Sequence, residues 1–265
     1  MLTILITYCG IGAIAGVLAG LLGIGGGLVI VPMLVYIMGT QGVPPHILMH
    51  LALGTSMASI MFTSVASFMA HHRRGAVHWE VVRRIVIGIF TGTFLGSCFA
   101  AAMSTGFLKG FFCIFLFVVA TQMLMNKKPK PSRELPGTLG MFATGNVIGG
   151  VSSLVGIGGG TLSVPFMIWC NIPVHHAIGT SAAIGLPIAV AGTMGYVFNG
   201  WGIESLPAYS IGYINLPALF GIAGISVLTA PLGVKLAHSL PVDKLKRVFA
   251  LLLYLVGTKM LMGLF

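Results

Sequence analysis

The sequence predicts an all-α fold: a polytopic transmembrane helical bundle of two inverted-topology repeats, each a glycine-broken hairpin plus three spans. Three observations carry this expectation. The chain is 57% hydrophobic and 7% charged with a mean hydropathy of +1.03, far from the composition of a water-soluble domain of 265 residues. Its apolar residues fall in stretches of about 20, enough to cross about 30 Å of hydrocarbon. One helix-breaking string occurs twice: Leu21-Leu22-Gly23-Ile24-Gly25-Gly26-Gly27 ahead of Val31-Pro32, and Leu154-Val155-Gly156-Ile157-Gly158-Gly159-Gly160 ahead of Val164-Pro165.

The first stretch, 2–22, has no basic residue before it and no clear small-residue cleavage site after it, so it is expected to stay in the mature protein. The glycine string ends it. Three consecutive glycines cost a helix about 3 kcal/mol relative to alanines, and each N–H left unpaired in lipid costs several more. The break therefore needs protein, water or a ligand around it. A short apolar piece at 28–38 follows, then Pro44-Pro45 opens the stretch 47–70, and 85–103 and 107–125 complete the half. Residues 127–136, basic and proline-rich, read as a cytoplasmic linker between a first repeat, 1–126, and a second, 137–265. The second half runs in the same order: 138–155, the glycine string, a short piece at 161–172, then 177–198, 211–234 and 248–264.

The repetition goes beyond glycine. His50-Leu51-Ala52-Leu53-Gly54-Thr55-Ser56-Met57-Ala58 and His175-His176-Ala177-Ile178-Gly179-Thr180-Ser181-Ala182-Ala183 share H-x-A-x-G-T-S-x-A. Leu108-Lys109 and Thr121-Gln122-Met123-Leu124 recur as Leu245-Lys246 and Thr258-Lys259-Met260-Leu261. Matched features in the same order mark a duplication.

A net charge of +10 would suggest nucleic acid for a soluble protein, but the cations lie between spans, so no nucleic-acid partner is expected. Basic clusters at Arg73, Arg74, Arg83 and Arg84, at Lys127, Lys128, Lys130 and Arg133, and at Lys235, Lys244, Lys246 and Arg247 place those loops in the cytoplasm and both termini outside. After the G-T-S span the first half carries arginines, whereas the second carries only Glu204 before its next span. Equivalent loops thus face opposite sides, which requires an odd number of crossings per half. A hairpin that enters and leaves on one side, ahead of three full spans, satisfies this. Inverted repeats with broken helices are an architecture of secondary transporters.

Several chemistries lack their residues. The only acids, Glu80, Glu134, Glu204 and Asp243, fall in loops or at span ends, whereas a cation or proton antiporter usually keeps a carboxylate at membrane depth. Cys9, Cys98, Cys113 and Cys170 stand singly, without disulfide or zinc spacing, and read as buried thiols. No cofactor, metal site or catalytic set is predicted: Ser56 and His50 are about 240° apart around a helix, and no third group completes a triad. His71, His72 and His78 lie among arginines and are expected to be solvated.

What remains suits a small anion. Gly25, Gly26 and Gly27, and Gly158, Gly159 and Gly160, would present bare N–H groups at helix starts whose dipoles point the same way. The competing reading is that these glycines only let helices cross closely. Thr55, Ser56, Thr180 and Ser181 are candidate hydroxyl donors, although each could instead bond back to its own helix. Ser152, Ser153, Ser163 and Asn146 flank the second string. Pro32 and Pro165 lack the N–H that would bond the carbonyls of Leu28 and Thr161, and are hinge candidates. His50 and His175, at matching positions, are the candidates for proton coupling.

G-I-G-G-G-x-x-x-V-P in both halves, the two A-x-G-T-S segments and His72-Arg73-Arg74-Gly75-x-Val77-x-Trp79 together resemble the sulfite exporter TauE/SafE family across nearly the whole chain. The resemblance implies a bacterial cytoplasmic-membrane permease for small sulfur-containing or carboxylate anions such as sulfite, sulfoacetate or thiosulfate. It also implies that the glycine strings and A-x-G-T-S segments surround the pathway. An insertion in the first half between Pro32 and Gly54 departs from the symmetry. The expected function is thus a multi-pass secondary transporter of small anions in the lipid bilayer, with protons as a candidate coupling ion. A metal or cation permease and a non-transporting membrane assembly protein are the alternatives.

Overall fold

The computed structural model describes residues 2–23, 25–125, 132–239 and 242–263; Ile24 of the first glycine string and Lys127, Lys128 and Lys130 of the linker lie outside them. The described chain is almost entirely helical. Its first five helices are α1 (Leu2–Leu22), α2 (Gly27–Thr40), α3 (Pro45–His72), α4 (Trp79–Ala102) and α5 (Thr105–Met125). The last five are α6 (Thr138–Val155), α7 (Gly160–Trp169), α8 (Val174–Gly200), α9 (Leu216–Ser239) and α10 (Val242–Leu261). Among the described residues seven are long and apolar enough to span a membrane: α1, α3, α4, α5, α6, α8 and α9. The protein is therefore a multi-pass membrane protein, and side chains such as Leu95, Ile114, Phe220 and Leu228 point outward from the bundle.

Two predicted spans differ. The stretch 248–264 falls in α10, which begins earlier, inside the basic cluster, and among the described residues α10 is not one of the seven long apolar helices. The stretch 211–234 opens as a two-residue antiparallel ladder, β1 (Ser210–Ile211) with β2 (Ile214–Asn215), so its helix starts only at Leu216. Gly212, at φ 53°, makes the turn between the strands.

Small residues set the closest helix pairs. Gly12, Gly16 and Gly20 of α1 lie against Ile222, Ser226 and Ala230 of α9, where any Cβ would overlap a backbone carbonyl. Gly88 and Gly92 of α4 meet Phe142 and Asn146 of α6 in the same way. Spacing of four residues puts each glycine row on one helix face, and the backbones close to a distance at which dispersion holds them without a hydrophobic driving force. In both pairs residue numbers rise together, so α1 runs parallel to α9, and α4 to α6.

The long helices α3 and α8 cross at the centre and run antiparallel. Gly54 near the start of α3 lies against Tyr213, beyond the end of α8; Gly179 near the start of α8 lies against Ala76, beyond the end of α3. Their meeting faces bury Leu53, Met57, Ile60, Ile184, Ile188 and Tyr196, the middle of the core. The hairpin geometry is visible at both ends. Gln41, just after α2, donates to the Tyr8 hydroxyl in α1 (3.3 Å), so α2 returns toward the end from which α1 came. The N–H groups of Ser132 and Arg133, ahead of α6, donate to the carbonyl of Trp169 at the end of α7 (3.3 Å each), and the Arg133 guanidinium sits 4.7 Å over the Trp169 ring. The end of α7 thus returns toward the end from which α6 came.

Candidate functional site

The two helix breaks share the geometry of their last and first helical turns, although Gly25, at φ 74°, is left-handed where its counterpart Gly158 is not. Gly23 and Gly156 end α1 and α6 in the left-handed region, at φ 68° and 69°, where a side chain would cost about 1–2 kcal/mol. Gly26 and Gly159, at φ 80° and 77°, are the N-caps of α2 and α7, their carbonyls accepting from Val29 and Ile30 and from Leu162 and Ser163. Glycine is required at these four positions by conformation.

The breaks meet. A Cβ on Gly25 would stand 3.1 Å from both Cα and N of Gly158, and one on Gly27 would overlap the Gly156 carbonyl oxygen. Gly160 starts α7 as Gly27 starts α2, so two helix N-termini converge where first-turn N–H groups lack intrahelical acceptors. Beside the junction lies a cavity of about 10 Å³ lined by Gly23, Gly25, Gly158, Gly185, Ser64 and Ser67. That is room for about one water molecule. A small oxyanion needs more, so this conformation is closed around the junction.

The A-x-G-T-S residues join one half of the chain to the other. Ser56 Oγ donates to the Gly156 carbonyl (2.8 Å), and Ser181 Oγ donates to the Gly23 carbonyl (3.0 Å). Each serine thereby satisfies a carbonyl released where the opposite half breaks. Thr55 Oγ1 accepts the N–H of Asn215 and Thr180 Oγ1 accepts the N–H of His78, both at 2.9 Å. Asn215 and His78 are the residues immediately before α9 and α4. Gly54 and Gly179 have no Cβ because the chain leading to those helices passes over them. All four hydroxyl residues are fully buried, and Ser181 also receives a bond from Ser163 (2.9 Å).

The other predicted residues are less symmetric. His50 is 4% exposed, its Nε2 within 3.2 Å of the Ala100 carbonyl and 3.1 Å of that of Met103, and its ring stacks on Tyr213 at 5.1 Å. His175 is exposed at the start of α8, so the matched histidines occupy unlike environments and neither lines the cavity. Pro32 and Pro165 are the sixth residues of α2 and α7, which continue through them. Ser152 and Ser153 are buried at the end of α6, with no hydrogen-bond partner for Ser152 Oγ; Asn146 accepts from Thr91 at 3.1 Å, away from the breaks. Cys113 and Cys170 are buried as expected, whereas Cys9 and Cys98 are partly exposed.

One histidine departs from expectation. His71 is 1% exposed, not solvated, and its Nε2 donates to the Gly20 carbonyl at 3.0 Å, because α1 packs over the last turn of α3; His72 and His78 are exposed. Residues unnoticed in the sequence, Ser64, Ser67, Gly185 and Tyr196, border the junction or its flanks. The serines could have been found by their spacing, since 64, 67 and 71 fall on one helix face. Among the described residues, no three His, Cys, Asp or Glu side chains cluster as metal ligands.

The profile of a family described as sulfite exporter TauE/SafE matches residues 8–260. A probable membrane transporter protein of Haemophilus influenzae is 39% identical over 98% of this chain and 99% of its own. Another, from Methanocaldococcus jannaschii, is 28% identical over 95% and 93% of the two chains. A third, from Bacillus subtilis, is 26% identical over 72% and 77%. No solved structure matches.

Proposed function

We propose that this membrane transporter, which belongs to the sulfite exporter TauE/SafE family, moves small sulfur-containing or carboxylate oxyanions by alternating access, with no covalent step on the substrate. The observation that carries the proposal is the meeting of Gly25 with Gly158 beside a cavity bordered by Ser64 and Ser67. Two converging helix N-termini offer N–H groups and positive dipole ends without a buried cation, so an anion gains partners and leaves no uncompensated charge behind. The four acids lie at element ends or in connecting segments, which supports an anion over a cation.

Residues 1–126 and 137–265 act as inverted repeats joined by the linker 127–136, a reading supported by the antiparallel α3 and α8 and by the two hairpins that open on opposite ends. The end carrying Arg73, Arg74, Arg83 and Arg84 faces the bacterial cytoplasm. In the open state Gly25–Gly27 and Gly158–Gly160 donate N–H groups to the anion. Thr55, Ser56, Thr180 and Ser181, now committed across the halves, become available as the halves rock, with Pro32 and Pro165 as hinges. Protons are the candidate coupling ion, through His50 and His175.

The test is tracer flux of sulfite, sulfoacetate and thiosulfate in proteoliposomes. Saturable flux of at least one, abolished by Gly159→Leu, is expected; a Cβ at Gly159 would overlap the Ile188 side chain. Absence of saturable flux for all three, or flux indifferent to Gly159→Leu, overturns the reading.

A further inference from the structure

His71 and Tyr196 occupy the same place in the two halves, each fifteen residues after the serine of G-T-S. Their partners are equivalent too. His71 Nε2 donates to the carbonyl of Gly20, three residues before Gly23, and the Tyr196 hydroxyl donates at 2.8 Å to the carbonyl of Ser153, three residues before Gly156. Each bond ties the last turn before a glycine break to the far end of a crossing helix. The space between break and tie differs in the two halves. On the His71 side it is the cavity, bordered by Ser64 and Ser67 of α3 and by Ala182 of α8. On the Tyr196 side the positions matching Ser64 and Ser67 are Ala189 and Gly192, and the thioether of Met57 fills the gap, 3.0 Å from where a Gly192 Cβ would be. Met57 and Ala182 are themselves repeat equivalents.

We propose that Ser64, Ser67 and His71 line the segment of the substrate path between the glycine breaks and the basic end, with the His71–Gly20 hydrogen bond as its gate, and that Tyr196, bonded to Ser153, gates the opposite segment. This rests on the transport reading. The polar stripe on α3 offers a migrating anion the hydroxyls of Ser64 and Ser67, which in this conformation donate to the Met61 and Ala19 carbonyls (3.1 and 3.5 Å), and the histidine N–H it reaches next is engaged by the Gly20 carbonyl. Both segments are shut in this conformation, the histidine side by the His71–Gly20 bond and the tyrosine side by its own bond and by the Met57 side chain.

Thiol labelling tests the path without any assumption about substrate. In reconstituted protein with Cys9, Cys98, Cys113 and Cys170 replaced by serine, Ser64→Cys is exposed to the membrane-impermeant anion methanethiosulfonate ethylsulfonate from either face. Modification is expected from the face bearing Arg73, accelerated about tenfold by His71→Ala, the scale of one buried hydrogen bond. His71→Gln, which keeps an N–H donor, should restore the slow rate, and Tyr196→Phe should leave it unchanged while opening Ala189→Cys to reagent from the other face. Labelling of Ser64→Cys mainly from the other face, from neither face, or at a rate indifferent to His71→Ala overturns the assignment. Gated labelling in a protein that shows no anion flux would instead sink the transport reading and leave the path standing.

Discussion

Ser56 Oγ donates to the carbonyl oxygen of Gly156 at 2.8 Å, across one hundred residues of chain and between the two sets of helices. A helix that stops inside a membrane leaves carbonyls with no water to donate to them. Here the hydroxyl that satisfies one comes from the other half of the chain, and Ser181 returns the bond to Gly23. The two breaks therefore stabilise each other, and removing either serine should be felt at the opposite break.

Ser56→Ala and Ser181→Ala should each lower stability by about 1–2 kcal/mol, since a buried carbonyl is left without its donor. Thermal unfolding of the detergent-solubilised protein measures this. Unchanged unfolding temperatures in both variants would show that the carbonyls find other partners.

Thr55 and Thr180 accept N–H groups at the starts of α9 and α4. Valine keeps the shape and removes the acceptor, so Thr55→Val and Thr180→Val should cost about 1–3 kcal/mol, with serine at either position recovering most of it. Equal unfolding temperatures for the valine and serine variants would contradict the hydrogen-bond role.

The glycine rows separate packing from function. Gly16→Val in α1 and Gly92→Val in α4 drive a side chain into backbone and should prevent stable folding. Gly10→Ala, which meets nothing within 4 Å, should be neutral or stabilising by up to about 1 kcal/mol. Yield and monodispersity after solubilisation report the difference.

Between α7 and α8, burial pushes the Cys170 thiol up from its usual range, an effect partly offset by the Arg133 guanidinium. Less thiolate is present at neutral pH, so alkylation of Cys170 should be slow at pH 7 and rise with pH beyond the usual thiol range. Arg133→Gln removes the offsetting charge and should slow alkylation further at a fixed pH. Fast labelling at pH 7 would contradict this.

Much of the architecture was legible in the sequence because its signals are local. A triple glycine cannot continue a helix wherever it sits, and apolar length limits a span regardless of neighbours. The A-x-G-T-S segments were legible as important but not in their use. Their hydroxyls read equally well as ligand donors, and only the crossing of α3 with α8 shows that Thr55 meets Asn215 and Ser56 meets Gly156. His71 is illegible for a related reason: its arginine neighbours suggest water, while the carbonyl it bonds, Gly20, is supplied by a helix far away in sequence. The stretch 211–234 reads as one span because apolar composition does not distinguish the ladder at Ser210–Asn215 from the first turn of a helix.

The claim on which the account turns is that the junction of the breaks receives the substrate. Gly185 tests it with little disturbance, since it is helical and an added Cβ would stand 3.3 Å from the Gly158 carbonyl and 3.5 Å from Ser64 Cβ, beside the cavity. Initial rates of tracer thiosulfate and sulfite uptake by proteoliposomes should fall stepwise from wild type through Gly185→Ala to Gly185→Leu, to under about a tenth for leucine, a barrier of about 1.4 kcal/mol. Gly10→Ala should transport normally. Wild-type rates in Gly185→Leu would mean that the anion crosses elsewhere.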